Sequence, residues 1–178
     1  STTPTRSGRV IATVLPGHRE IAGVATTGVR WEVPQHGRNV TVVTRWYAED
    51  VAGNVWWFGQ DVRRRALLVD ELATRSFIAG ENGAEAGLVL AAKSRVGDGY
   101  FNAHAPGIVE RRSTVLSVNA RVTTPNGTYV GVVLTRDASN LQPTEVAESS
   151  FARGVGLAAM ETTGTTTSDL SLTRVRRP

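Results

Sequence analysis

Tyr100, Asn102 and His104 alternate along the segment Gly97-Asp98-Gly99-Tyr100-Phe101-Asn102-Ala103-His104-Ala105-Pro106-Gly107. In an extended strand every second side chain points to the same face, so these three residues form one polar and aromatic row. The chemistry open to such a row is general acid–base work. An imidazole exchanges a proton near neutral pH, while a phenol and a carboxamide orient a polar substrate group by hydrogen bonds. The row needs a cavity in front of it and a second polar partner from another strand, and the sequence identifies no such partner. A solvent-facing strand edge accounts for the same residues without chemistry and is the preferred reading. The remaining histidines, His18 and His36, stand beside turn glycines, where exposure is expected. The acid pairs Glu49-Asp50, Asp70-Glu71 and Glu145 with Glu148 fall at turns or strand ends and read as solvated. Sequence does not tell which acids meet in space, so a catalytic carboxylate pair stays open. No Gly-x-Ser-x-Gly elbow, His-Glu-x-x-His pair or phosphate-binding loop is present.

The second concentration of chemistry-bearing residues is aromatic. Trp46, Trp56 and Trp57 are three of the four tryptophans, and all lie in Trp46-Tyr47-Ala48-Glu49-Asp50-Val51-Ala52-Gly53-Asn54-Val55-Trp56-Trp57-Phe58-Gly59-Gln60-Asp61. Two strand-like arms flank the turn Asp50-Val51-Ala52-Gly53. Asp50 is suited to accept a backbone N–H inside that turn, and Gly53 to take a positive φ. The Asp-x-x-Gly-Asn-x-Trp pattern is similar to hairpins of β-propeller blades, but a single copy makes no propeller. Asp50 and Asn54 lack the distal glutamate of a calcium loop, and no metal site or cofactor is expected. Alternation puts Trp56 and Phe58 on one face and Val55 and Trp57 on the other. A strand aromatic on both faces is either buried on both sides or lines a cavity with one of them. Core packing is the plainer reading. The sharper one is a ligand pocket whose candidate contacts are Trp46, Trp56 and Trp57, joined by Tyr100 and His104.

The elements that must position these residues are strands. The hydrophobic period is two almost throughout: Val40, Val42, Thr44 and Trp46 share one face, and Thr41, Val43, Arg45 and Tyr47 the other. Threonine and valine, whose branched side chains fit a pleated surface, dominate. Strands are expected at Arg9–Leu15, Ile21–Val33, Asn39–Glu49, Asn54–Gln60, Ala66–Asp70, Arg75–Ala79, Leu88–Ala91, Tyr100–Ala105, Thr114–Val118, Thr128–Arg136, Glu145–Phe151, Leu157–Thr162 and Leu170–Val175. Turn signals separate them, among them Pro16-Gly17, His36-Gly37, Glu81-Asn82-Gly83, Pro106-Gly107 and Pro125-Asn126-Gly127. The stretch Val62–Ala73 approximates helical spacing, but its length also suits one more hairpin strand, the reading preferred here. The expectation is an all-β protein built on a single antiparallel, strongly curved sheet forming a half-barrel or closed barrel. Residues 1–8 are expected to be a flexible polar segment and 9–178 a single β domain.

Composition narrows the function classes. At 178 residues the chain buries a sizeable core without staples. Cysteine is absent, which removes disulfides, thiolate nucleophiles and thiolate metal sites. Of twenty basic residues one is lysine, Lys93, leaving nineteen arginines. Codon bias in a GC-rich genome explains this most simply; the alternative is recognition of phosphate or carboxylate by guanidinium forks. A net charge of +4 is too small and dispersed to argue for nucleic acid. No apolar run approaches the about 20 residues of a membrane span. The small polar opening Ser1-Thr2-Thr3-Pro4-Thr5-Arg6-Ser7-Gly8 resembles the start of a mature chain whose export segment has been removed, so a secreted or envelope-associated protein is expected. Asn39-Val40-Thr41 and Asn126-Gly127-Thr128 fit the glycosylation sequon, the second already explained by its turn.

Several ordered motifs resemble one family. They are the tryptophan hairpin Trp46 to Gly59, Ala79-Gly80-Glu81-Asn82-Gly83-Ala84-Glu85-Ala86-Gly87-Leu88-Val89-Leu90, Val96-Gly97-Asp98-Gly99-Tyr100, Thr123-Thr124-Pro125-Asn126-Gly127-Thr128-Tyr129, and Phe151-Ala152-Arg153-Gly154-Val155-Gly156-Leu157. The family comprises exported, often lipid-anchored bacterial β-sheet proteins of unassigned function. The resemblance spans Arg19 to Val175. It implies a curved antiparallel sheet broadly like the periplasmic half-barrels that carry lipids or lipoproteins, and it implies no reaction. The chain departs from the pattern at its opening hairpin, Ser1 to Pro16. It departs again at Asn102-Ala103-His104, where the family has a glutamine-glutamate-tyrosine run, so no shared polar role carries over to that strand.

Three functions are expected, in order of preference. The first is non-enzymatic binding of a hydrophobic or amphipathic small molecule, or of an envelope partner, in the curved sheet. The second is a structural or interaction module with a filled core. The third is an enzyme — a cyclase, isomerase or hydrolase with its site in the barrel interior — using His104, Tyr100 and Asn102.

Overall fold

The period-two pattern folds as it reads: in a computed structural model the chain is all-β, with 68% of it in strands. The structure describes residues 9–34, 40–64, 75–164 and 168–176. The polar segment 1–8, the His36-Gly37 turn, the strand at 66–70, most of the stretch 62–73 and the Asn39 sequon lie outside the described residues.

Among the described residues, thirteen strands make two antiparallel sheets. The first holds β1 (Ile11–Val14), β2 (Arg19–Ile21), β3 (Val24–Pro34), β4 (Val40–Glu49), β5 (Val55–Arg64), β6 (Phe77–Ile78) and β7 (Gly87–Leu90). Its order is β1-β3-β4-β5-β6, with β2 on β3 and β7 on β5. The second runs β13-β12-β11-β10-β9-β8. Its members are β8 (Gly99–Ala105), β9 (Val109–Thr124), β10 (Gly127–Ser139), β11 (Gln142–Ala152), β12 (Gly156–Thr163) and β13 (Ser168–Ser171). The single sheet expected from the sequence is therefore corrected to two, and neither closes into a barrel. Period two reports that strands exist but not which strand edges stop pairing, and that is where one sheet became two.

The chain also groups into two compact units, Ser7–Ala92 with Phe101–Glu110, and Lys93–Tyr100 with Arg111–Pro178. In the first unit, β5 carries cores on both its faces. Trp57 and Phe77 pack with Ala84, Ala103 and Ala105 in one cluster. Ile21, Phe58 and Ala79 pack with Trp46 and Trp56 in another. A bulge separates these registers: Trp46 opposes Gly59 while Tyr47 opposes Trp57, leaving Phe58 as the extra residue. Gly59 has φ 149°, and a Cβ there would run into the Phe77 carbonyl, so glycine is required. On the other side of Trp46, Gly28 leaves room for the indole, whose ring would lie 2.7 Å from a Cβ at that position. The tryptophan is thus flanked by a glycine on each neighbouring strand.

In the second unit, Val132, Ala152 and Ala158 form the apolar centre with Ala120, Val122, Tyr129 and Val155 against them. β9 is far longer than the expected Thr114–Val118, because its ladder to β10 continues through polar residues from Arg111 to Thr124. Register shifts between Tyr129 and Thr135 bend that ladder.

Candidate functional site

The hairpin joining β4 to β5 is organised by one carboxylate. Asp50 Oδ1 accepts the backbone N–H groups of Ala52 and Asn54, both at 2.9 Å. Its Oδ2 accepts the Asn54 amide at 2.8 Å and the Trp56 indole N–H at 2.9 Å. Gly53 takes φ 86° and donates its N–H to the Asp50 carbonyl at 2.9 Å. Four donors favour the anion, led by the Asn54 side chain and then Trp56, and hold the carboxyl down at about 2. Asn54 Oδ1 then accepts the Ala92 N–H at 2.9 Å, tying the turn to the chain after β7. Both carboxylate oxygens are engaged by N–H donors, as the structural reading of this turn requires.

The tryptophans divide by face. Trp57 is 5% exposed, donates its indole N–H to the Gly59 carbonyl at 2.7 Å and meets Phe77 edge-on at 5.2 Å. Trp56 and Trp46 are half-buried on the opposite face. The Arg19 guanidinium lies 5.2 Å from the Trp46 ring, and the Trp46 indole nitrogen is buried without a hydrogen-bond partner among the described residues.

The row on β8 is divided between the two units. Tyr100 belongs to one, Asn102 and His104 to the other. The Tyr100 hydroxyl is pushed up to about 12, first by burial and then by the charges of Asp137 and Asp98. Asn102 is buried, at 8% exposure, and its Oδ1 has no partner among the described residues. His104 is half-buried with Nδ1 likewise unpartnered, and its ring lies 5.4 Å from that of Phe101. Asn102 and the adjoining Ala103 are both buried. The β8 backbone at Asn102 is so close to Gly87 that no Cβ would fit there, and the Glu85 N–H donates to the His104 carbonyl at 2.8 Å.

Two arrangements were not anticipated from the sequence. In the six-stranded sheet, Asp137 accepts Ser113 Oγ at 2.5 Å and Ser149 Oγ at 3.3 Å, with Thr135 Oγ1 at 3.5 Å. All four residues are buried. Burial raises the Asp137 carboxyl above its ordinary value, against the hydroxyl bonds and the Arg111 charge that lower it. The readable signal was polar alternation, Thr135-x-Asp137, inside a strand.

In the seven-stranded sheet, the Arg45 guanidinium lies 5.1 Å from the Trp57 ring and 5.9 Å from the Trp31 ring. The register explains the geometry. Trp31 opposes Val43, two residues before Arg45, and Trp57 opposes Tyr47, two residues after it. Both rings are therefore diagonal neighbours on the face Arg45 uses, within reach of long side chains. Arg45 Nε and Trp31 Nε1 are buried without hydrogen-bond partners among the described residues.

A pocket of about 180 Å³ opens between Phe77, Ile78, Ala84, Ala105, Pro106 and Ile108. It is smaller than the about 300–1,000 Å³ usual for small-molecule sites, and none of Trp46, Trp56, Trp57, Tyr100 or His104 lines it. Among the described residues no group of three or more metal-ligating side chains occurs, and no helix is long and apolar enough to cross a membrane. No protein-family model, curated protein or solved structure matches this chain.

Proposed function

We propose that this protein binds a hydrophobic or amphipathic small molecule, or an apolar segment of a cell-envelope partner, on its seven-stranded sheet without catalysing a reaction. One observation carries the reading. Among the described residues, Trp31 Nε1 and Arg45 Nε are buried side-chain donors without hydrogen-bond partners on one face of the sheet. They sit on the adjacent strands β3 and β4, with the Arg45 guanidinium against the Trp31 and Trp57 rings. Native interiors pair such groups, and leaving one unpaired costs about 1–3 kcal/mol. A site that holds unpaired donors among aromatic rings is better suited to receiving a ligand than to packing.

In this reading the sheet is curved as a half-barrel, helped by the bulge at Phe58. The protein acts outside the cytoplasm, as the family resemblance implies. Native mass spectrometry of the purified protein tests it: an apolar adduct that survives gentle desolvation and is lost on denaturation is expected. Repeated absence of any adduct, with no uptake of added amphiphiles, would favour a filled structural module instead.

The catalytic alternative draws on Asn102 Oδ1 and His104 Nδ1, both buried two residues apart and unpartnered among the described residues. It expects a hydrolytic activity on simple esters that His104→Ala abolishes. Unchanged turnover in that variant would remove it.

A further inference from the structure

The two faces of the seven-stranded sheet treat arginine differently. By register, Arg30 stands opposite Thr44, which stands opposite Asp61. Glu32 stands opposite Val42, which stands opposite Arg63. This face thus alternates basic and acidic groups, and it pairs them: Arg30 with Glu32 at 3.6 Å and Arg63 with Asp61 at 2.8 Å. The opposite face carries Arg45. Its neighbours by register and diagonal are Val29, Trp31, Val43, Tyr47 and Trp57, with Gln60 directly across. None is acidic, and Gln60, whose Nε2 donates to the Arg75 carbonyl at 2.8 Å, offers Arg45 only a neutral carbonyl oxygen. Among the described residues Arg45 has no ion-pair partner.

An arginine keeps its proton in proteins, so its charge cannot be relieved by deprotonation as a buried lysine's can. Two indole faces compensate in part. What they leave is a half-buried cation, fixed in direction by rings on both sides and bordered by valines. That is a site for a molecule with one anionic end and one apolar end.

We propose that Arg45 anchors the carboxylate head group of a single-chain amphiphile whose hydrocarbon tail lies along the Val29 and Val43 side of the sheet. The proposal rests on the binding function proposed above and adds the ligand's charge, its head group and the residue that reads it. The carboxylate accepts from the guanidinium fork, and the tail covers the half-exposed valines.

The test is a titration followed by tryptophan fluorescence and calorimetry. Decanoate, decanol and acetate are each added to the full chain, wild type, Arg45→Gln and Arg45→Lys. Decanoate is expected to bind the wild type about tenfold to a hundredfold more tightly than decanol, the range of one charge-assisted hydrogen bond. That preference should shrink as salt rises. Arg45→Gln should lose it while still binding decanol, and Arg45→Lys should keep part of it. Equal binding of decanoate and decanol by the wild type overturns the head-group proposal and leaves the apolar-binding function standing. Acetate binding as tightly as decanoate overturns it too, since the site would then read a free carboxylate. Failure of every probe sinks both. Should Arg45→Gln fail to fold, the comparison of decanoate with decanol on the wild type, with its salt dependence, still decides.

Discussion

Replacing Trp57 by alanine is the most direct test of how the tryptophan hairpin is held. An aromatic side chain that buries about 200 Å², at about 25 cal/mol per Å², is worth about 5 kcal/mol. The figure is an upper bound, because an unfolded chain already hides part of that surface. The cavity left behind puts measured tryptophan or phenylalanine truncations at about 3–5 kcal/mol. Trp57 belongs near the top of that range. It is 5% exposed, its edge-on contact with Phe77 is at 5.2 Å, and its N–H bond to the Gly59 carbonyl is short. Trp57→Phe keeps a ring in the cluster but leaves that carbonyl without its indole donor, for an expected loss of about 1–3 kcal/mol. Trp56→Ala should cost less than Trp57→Ala, since Trp56 is half-buried. Urea denaturation followed by far-ultraviolet circular dichroism measures all three, with the denaturant slope checked for constancy. A Trp57→Ala loss below about 1 kcal/mol, where ordinary surface changes fall, would refute the assignment of Trp57 to the core. So would a loss smaller than that of Trp56→Ala.

Asp50→Ala should destabilise the hairpin, because it strands four N–H donors at once. The folded carboxyl titrates near 2 against an ordinary 3.8, so its contribution is complete above about pH 4 and disappears as pH falls through 2. An acid titration in which wild type and Asp50→Ala lose stability in parallel over that window would contradict this. Asp137 has the opposite sign. Its folded carboxyl is raised above 3.8, so the stability it contributes is full below the ordinary value and is lost as pH rises through the folded one. Asp137→Asn should flatten that dependence and leave the protein at least as stable at neutral pH, as denaturation midpoints at acid and neutral pH will report. Gly87→Ala should cost about 1–3 kcal/mol or more, because the new methyl meets the Asn102 backbone. A midpoint equal to wild type would mean the β8 approach is looser than described.

How far the sequence could be read depended on whether a residue's role was local. The Asp50–Trp56 hairpin was readable in detail, because the hydrogen bonds to Asp50 span at most six residues and the turn chemistry lies in the sequence itself. The turn between β2 and β3 was not: Ala22 and Gly23 both take positive φ, at 50° and 77°, and alanine there carries none of the usual asparagine or aspartate signal. β9 was cut short because Arg111, Arg112 and Ser113 on one side and Asn119 and Arg121 on the other interrupt its apolar alternation, although strand pairing asks only for backbone groups. Tyr100, Asn102 and His104 were aligned by strand alternation, which carries no information about the close approach at Gly87 or the burial of both Asn102 and Ala103.

Asp137 and Arg45 were missed for a shared reason, since what matters for each is the identity of its cross-strand neighbours. The neighbours then separate the two physically. Asp137 is surrounded by hydroxyls that can donate to it, and it can also take up a proton. Burial is answered inside the sheet, and nothing further is required from outside. Arg45 has neither remedy. Its neighbours include no acid, and a guanidinium does not give up its proton in a protein. A buried acid with a full set of donors explains itself as structure. A half-buried guanidinium between two indoles, with no acid among its cross-strand neighbours, is explained only in part by the rings, and the remainder of its charge is what an incoming carboxylate would meet.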